Sequence, residues 1–422
     1  MEEIIDRRKE RAILVAVKLP SISSWDLEES LNELEQLVIT AGGEVVARVI
    51  QERETPHIRA FIGPGKVEEI RDLACKLEAD LIVFDQDLTS SQQHNLENII
   101  KRKIIDRTAI ILDIFAQRAH SSEGKLQVEL AQLVYLLPRI KGRGIELSRL
   151  GGGIGTRGPG ETKLEVDRRR IRHRIQHLNK ELKHLRQNRA IQRKKRKKAS
   201  IFSISIVGYT NAGKSTLLNT LTHAGVFVED KLFATLDSTT RRLILPNNQL
   251  AVISDTVGFI KKLPHQLIAA FRSTLDEVRE ANLLVHIIDA SHPQMEEQIE
   301  AVERVLEEIK AAEKPRINLF NKMDKLSQIE RERLKRRFPQ GVFISALTGE
   351  GIDRLLGEIE KRVSEAVVRV RLHIPFGRGE LIQKIYEHGK VISERHTSRG
   401  TSIIAELPQG SLREIEKLVE IG

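Results

Sequence analysis

Cysteine is almost missing from this chain: of 422 residues only Cys75 carries a thiol. That excludes a disulfide framework and a thiolate zinc site, and it makes a reducing compartment, the cytoplasm, the expected one. Long apolar runs are missing as well. No stretch approaches the roughly 18 to 20 apolar residues of a membrane span. Met1 to Arg11 is dense in charge and lacks the apolar core of a signal peptide. Neither secretion nor membrane embedding is expected, although a peripheral membrane fraction stays open. What the chain does have is 40% apolar residues over a length that exceeds one ordinary core, so two or three domains are expected.

Acidic residues are missing in one place. Asp167 to Lys198 holds 15 Lys or Arg against two acids, a local +13 that leaves the rest of this +10 chain near −3. In Arg193 to Lys198 (RKKRKK) no acid is available for i, i+4 pairing. The segment reads as a surface for a polyanion, with nucleic acid ahead of an acidic surface and ahead of a solvated linker helix.

Short apolar runs alternate with helical periods through the first part of the chain. Strands are expected at Ala12 to Val17, Val45 to Ile50, Ile58 to Ile62, Leu81 to Phe84 and Ala109 to Leu112. Helices are expected across Leu27 to Val38, Val67 to Leu77 and Gln92 to Ile100. This is a parallel-sheet α/β domain over residues 1–115. Leu126, Leu130, Leu133 and Leu137, closed by Pro138, then spell an amphipathic helix, and Leu164, Ile171, Ile175, Leu178, Leu182 and Leu185 spell a second. Their seams fit an antiparallel helical hairpin over 116–199. A helix from Thr162 to Lys198 would extend roughly 55 Å at 1.5 Å per residue.

The hairpin tip, residues 141–161, holds eight of the 27 glycines and four basic residues, so no packed core forms there. Close backbone approach together with Arg143, Arg149 and Arg157 suits phosphate contact. Lys163, Arg168, Arg169, Arg170, Arg172 and Arg174, at the start of the second arm, complete the candidate RNA-binding set. The α/β pattern returns over 200–365. Residues 366–422 read as strand, helix, strand, strand, helix, a small α+β domain without a chemical signature. The fold class is thus α/β multidomain, with a nucleotide-binding domain third in order.

The chemistry lies in that third domain. Strand Phe202 to Val207 runs into Gly208, Tyr209, Thr210, Asn211, Ala212, Gly213, Lys214 and Ser215, then into a helix that starts at Thr216. This is G-x-x-x-x-G-K-S in its strand, loop, helix context. Loop N–H groups hold the α and β phosphates, Lys214 reaches the β and γ oxygens, and the Ser215 hydroxyl binds Mg²⁺. Strand Leu250 to Ser254 delivers Asp255 as Mg²⁺ support, through water, and Gly258, whose N–H can meet the γ-phosphate. Thr235 is the candidate magnesium threonine, with Thr239 and Thr240 as rivals. Lys214, Thr235 and Gly258 are the expected catalytic residues.

Asn321, Lys322, Met323 and Asp324 follow strand Arg316 to Phe320. The Asp324 carboxylate accepts from guanine N1–H and N2–H, donors that adenine lacks, and a mismatch of that kind discriminates by about 10⁴ to 10⁵. Backbone N–H groups of Ser345, Ala346 and Leu347 can donate to guanine O6. GTP and GDP are therefore the expected ligands. Phe259 stands after Gly258, where many switch GTPases carry a water-orienting Gln, so slow unaided hydrolysis is expected, accelerated by a partner.

GYTNAGKST, LFATLD, DTVGFI and NKMD, with GGIGTRGPGETKLEVDRRR upstream, resemble the HflX family of ribosome-associated GTPases over about residues 1–365. Ser238 departs from the family, which usually has Pro after LD, and this bears on the rigidity of the switch loop. The resemblance implies a Ras-like GTPase domain and a helical hairpin that engages the large ribosomal subunit near its peptidyl-transferase centre. It also implies GTP-dependent splitting of stalled ribosomes, and separately a monomer is expected. Two other readings stay open: an rRNA chaperone or helicase-like factor with an ATP site in the first domain, and a regulatory GTPase that binds a protein or a membrane. Gly63, Pro64, Gly65 and Lys66 read as a strand-to-helix turn more readily than as that ATP site. His173 and His177, surrounded by arginines without carboxylate support, read as exposed residues instead of a metal pair.

Overall fold

The computed structural model describes residues 9–140, 163–198, 201–222, 232–233, 239–261, 272–388, 390–397 and 400–408. The chain divides into two compact units, Met1–Leu182 with Asp230–Leu236 and Lys262–Phe271, and the remainder.

In the first unit, β1 (Arg11–Lys18), β2 (Glu44–Glu52), β3 (Leu81–Phe84) and β4 (Lys103–Asp106) form a parallel sheet in the order β2-β1-β3-β4. Between them run α1 (Ser24–Ala41), α2 (Pro64–Lys76) and α3 (Ser90–Ile100). The Ser23 hydroxyl starts α1 by accepting from the Asp26 N–H at 3.0 Å, and Gly42, at φ 98°, ends it. Leu27, Leu31, Leu34 and Val38 are the buried face in between. Burial of this kind stabilises by roughly 1.5–3 kcal/mol per side chain.

Two expected strands are corrected. Ile58 to Ile62 is a turn closed by one bridge between His57 and Phe61, with Phe61 left-handed at φ 65° and Ile58 exposed. Its apolar residues Ala60 and Ile62 plug the core from a loop without following strand alternation. Ala109 to Leu112 lies inside α4 (Arg107–Arg118), which the Asp106 carboxylate caps at the Ala109 N–H, while the strand is the segment just before it. The run looked like a strand because Ile110, Ile111, Leu112, Ile114 and Phe115 are all buried, which erases the helical period.

Arg107 is fully buried among Asp85 (2.6 Å), Glu33 (2.5 Å) and the Ser30 carbonyl (2.7 Å). Burial alone would lower its pKa, but the two carboxylates outweigh it and hold the guanidinium above its ordinary value. α5 (Ser122–Leu136) packs Leu130 against Leu178 and Leu182 of α6 (Lys163–Lys198), with Leu126, Leu133, Val134 and Ile175 around them. The Glu129 carboxylate takes both arms of Arg174, at 2.6 and 2.8 Å. At the base of the hairpin, Asp106 accepts from the Tyr135 hydroxyl (2.8 Å) and from Arg139 (3.0 Å).

The second unit is built on a six-stranded sheet of β5 (Phe202–Gly208), β6 (Thr239–Ile244), β7 (Leu250–Asp255), β8 (Leu283–Asp289), β9 (Arg316–Asn321) and β10 (Val342–Phe343). Their order is β10-β9-β8-β5-β7-β6, with β6 alone antiparallel. α7 (Lys214–Thr222), α8 (Arg272–Glu280), α9 (Met295–Glu308), α10 (Gln328–Arg337) and α11 (Ile352–Ala366) accompany it. One core joins Ile204, Ile206, Leu217, Ile253, Val285 and Leu355. A smaller antiparallel sheet follows, made of β11 (Val367–Pro375), β12 (Lys390–Thr397) and β13 (Gly400–Pro408) in the order β11-β13-β12, with α12 (Gly379–His388) on one face. The final helix expected at Ser411 to Glu420 lies outside the described residues.

Candidate nucleotide site

Parallel strands end together, so the loops after β5, β7, β8, β9 and β10 gather at one edge of the sheet, where open α/β folds bind ligands. The phosphate loop joins β5 to α7. Asn211 is left-handed at φ 59° and Gly213 sits at φ 99°, where a Cβ would fall 2.3 Å from the Asn321 amide nitrogen. Glycine is required there for backbone conformation and for space together.

Lys214 opens α7 with its ammonium buried, donating to the carbonyls of Tyr209 (2.6 Å) and Gly208 (3.2 Å). Burial brings its pKa down to about 8, with Asp255 pulling it up and Lys322 pushing it down further. The next residue, Ser215, donates from its hydroxyl to the Asp255 carboxylate at 2.8 Å. Two buried oxygen groups from separate motifs therefore meet, and hard oxygen donors of this type suit Mg²⁺. Among the described residues, no group of three His, Cys, Asp or Glu offers a different metal site.

The segment after Asp255 is strapped to the phosphate loop. The Phe259 N–H donates to the Gly208 carbonyl (3.1 Å), the Thr210 N–H to the Phe259 carbonyl (2.7 Å), and the Lys261 N–H to the Tyr209 hydroxyl (2.7 Å). Gly258 lies so close that a Cβ would stand 2.8 Å from Thr210 Cγ2 and 3.0 Å from Lys214 Nζ. The Phe259 side chain is buried. The strap by Tyr209 and Lys261 has no signature in the sequence, because a hydroxyl reaching a backbone N–H needs no fixed motif. Lys261 is held in turn by Gln294 (3.0 Å) and by Glu297.

At the base-binding end, Asn321 donates to the Ala212 carbonyl (2.8 Å) and accepts from the Ala346 N–H (2.9 Å). Asn321, expected among the nucleotide-binding residues, stitches two loops through these bonds. Lys322, left-handed at φ 64°, pairs with Asp289 at 2.7 Å, and Asp324 is exposed at the start of a 3₁₀ turn. The Ser345 N–H is given to Glu350, and the exposed Leu347 has an amide with no partner among the described residues. Thr216 follows Ser215 in the first turn of α7. Thr235 lies outside the described residues. Phe233, two positions earlier, is buried edge-on to Phe115, with centroids 4.7 Å apart. The rivals Thr239 and Thr240 belong to β6, where Thr240 bonds to Ser254 (3.0 Å).

Behind the phosphate loop, His286 of β8 is buried and its pKa is pushed down to about 3, by burial first and then by Arg316 and Lys214. It is neutral at physiological pH.

Of the candidate RNA contacts, Arg143, Arg149 and Arg157 lie outside the described residues, and Lys163 is the first residue of α6. Arg169, Arg170 and Arg172 are exposed. Arg168 donates to the Ile140 carbonyl (3.0 Å) and Arg174 is taken by Glu129, so these two hold the hairpin together.

The sheet order, the phosphate loop and the four loops around it define a P-loop GTPase, a protein that binds GTP and hydrolyses it to GDP. Residues 28–116 match the family described as GTP-binding GTPase N-terminal and 118–196 match its Middle Region. Residues 203–322 match 50S ribosome-binding GTPase, and 331–418 match the HflX C-terminal domain. The chain is 50% identical to the GTPase HflX of Caldanaerobacter subterraneus, over 96% of this chain and 93% of that one. It is 45% identical to the GTPase HflX of Escherichia coli, over 90% and 88%. A GTP-binding protein from Sulfolobus solfataricus, solved with GDP, is 25% identical over 84% of this chain and 99% of that one, with a TM-score of 0.41. The chain belongs to the HflX family of GTPases. Among the described residues no helix is long and apolar enough to cross a membrane.

Proposed function

We propose that this protein is a cytoplasmic GTP-driven factor that binds the large ribosomal subunit and splits stalled or idle ribosomes into subunits. The observation that carries the reading is one chain that joins a GTP site to a helix rich in Lys and Arg, α6, which has 36 residues, is about 54 Å long and exposes Arg169, Arg170 and Arg172. The family description of residues 203–322 as a 50S ribosome-binding GTPase points to the same partner. We divide the work among four parts, 1–115, 116–199, 200–365 and 366–422.

In this reading Lys214 leaves the carbonyls of Gly208 and Tyr209 for the β and γ oxygens, and loop N–H groups from Gly208 to Thr216 hold the phosphates. Ser215, Thr235 and Asp255 would hold Mg²⁺, which when bound neutralises charge on the β and γ oxygens. The Gly258 N–H meets the γ-phosphate, so the strap from Phe259 to the phosphate loop shifts between GTP and GDP forms. Asp324 reads guanine, Lys322 covers it, and the Leu347 amide is the available donor to O6. Arg169, Arg170 and Arg172 meet rRNA phosphates.

The test is sucrose-gradient profiling of whole ribosomes mixed with the protein and GTP, GDP or a non-hydrolysable GTP analogue. Conversion of ribosomes to subunits with GTP is the expected result. Equal binding to large subunits with GDP and with the analogue would refute the switch.

A further inference from the structure

The small sheet of β11, β12 and β13 has two unlike faces. On β11, Val370, Leu372 and Ile374 point into a core shared with Leu381 and Ile385 of α12 and with Ile403, Ala405 and Leu407 of β13. Strand alternation sends Arg369, Arg371 and His373 to the opposite side, and all three are exposed. The register extends this side across the sheet. His373 stands opposite Ser402, which stands opposite Arg395, and Arg371 stands opposite Ile404, which stands opposite Ser393. A bulge between Val391 and Ser393 turns Arg395 to this side, where it too is exposed.

The face is cationic on balance. Arg369, Arg371 and Arg395 make no ion pair among the described residues, and the acid that shares their side is Glu406, in register with Arg369. Outward residues two apart on one strand lie about 7 Å apart, and β11 and β12, on either side of β13, lie about 10 Å apart. Like charges held at such spacings repel one another and gain from a polyanion laid across them. His373 is the one ring on these rows, which carry no Phe, Tyr or Trp, so the matching ligand feature is the phosphate backbone ahead of the bases.

We propose that this open face, built around Arg369, Arg371 and Arg395, is a second RNA-contact surface that grips phosphate backbone without regard to sequence. It rests on the reading of the protein as a ribosome-binding factor and gives its last domain a task.

The experiment uses the full chain with Arg369, Arg371 and Arg395 all changed to Glu, and a second variant with all three changed to Lys. Both are checked by thermal melting. Affinity is measured by filter binding from 50 to 200 mM salt for two probes, purified large ribosomal subunits and the deproteinised rRNA extracted from them. The Glu variant should bind both probes at least tenfold more weakly, with the log–log salt slope reduced by about 2 to 3. The Lys variant should keep most of the affinity, since lysine retains the charge.

Unchanged affinity of a folded Glu variant for deproteinised rRNA overturns the proposal. Loss confined to intact subunits overturns it too, because it would identify an acidic protein as the partner. If the Glu variant misfolds, a third variant with the three residues changed to Gln decides: weaker binding of deproteinised rRNA with a reduced salt slope supports the surface, and unchanged affinity and slope overturn it. A wild-type chain that binds free rRNA through this face yet neither binds nor splits ribosomes would remove the ribosome reading and leave this surface standing.

Discussion

The side-chain amide of Asn321 donates to the carbonyl of Ala212 at 2.8 Å, and this one bond ties the end of β9 to the loop between β5 and α7. The same side chain accepts from the Ala346 N–H, so a single residue sets the spacing of three loops. Replacing Asn321 by Ala leaves a buried carbonyl and a buried N–H unpaired, at about 1–3 kcal/mol each. GDP affinity should fall at least tenfold, and the nucleotide-free protein should melt at a lower temperature. An unchanged melting temperature with lost affinity would reduce Asn321 to a base contact.

Lys214 should couple nucleotide binding to protons. Its free-state pKa near 8 rises once phosphate oxygens surround it, so binding takes up a proton in the range above about pH 8 and none well below it. Calorimetry of GDP binding in two buffers of different ionisation heat should show uptake of a large fraction of a proton at pH 8.5 and almost none at pH 6.5. Lys214→Met should abolish the difference between the two pH values. Equal heats in both buffers at pH 8.5 for the native chain would remove the coupling.

Phe259 stands in the sequence where many switch GTPases carry a water-orienting glutamine. Its ring is buried and its backbone is locked into the phosphate loop. Phe259→Gln should therefore leave single-turnover GTP hydrolysis no faster while costing about 3 kcal/mol or more, from lost packing and a buried amide. A tenfold rate increase with an intact melting temperature would place the side chain at the reaction centre after all.

Arg107 is the buried cation of the first unit. Arg107→Met would strand Asp85 and Glu33 without their partner, a change worth about 3–5 kcal/mol. Urea unfolding of the full chain should show an earlier transition, while GDP affinity, set by the second unit, stays within about twofold. Unfolding at an unchanged urea concentration would show the network to be dispensable.

Much of the site was legible in the sequence because each loop asks for particular residue types. Gly213 is the clearest example, since only a residue without a Cβ fits beside Asn321 at φ 99°. The helical hairpin was legible for a related reason: Leu130, Leu178 and Leu182 repeat at helical spacing on half-exposed elements, so the period survives. Ala109 to Leu112 misled because a helix buried on every side has no polar face to mark its period. Ile58 to Ile62 misled because loop residues can fill a core without alternating. The partners chosen by Arg174, Lys322 and Tyr209 lie 45, 33 and 52 positions away and belong to tertiary structure alone.

The pairing of Tyr209 with Phe259 has a consequence for measurement. The amide protons of Thr210 and Phe259 sit on different loops, yet each is held by the other's segment. Neither is expected to meet solvent without releasing its neighbour, so hydrogen–deuterium exchange at the two positions should report one shared opening free energy. That shared value gauges how readily the cleft opens in the native chain.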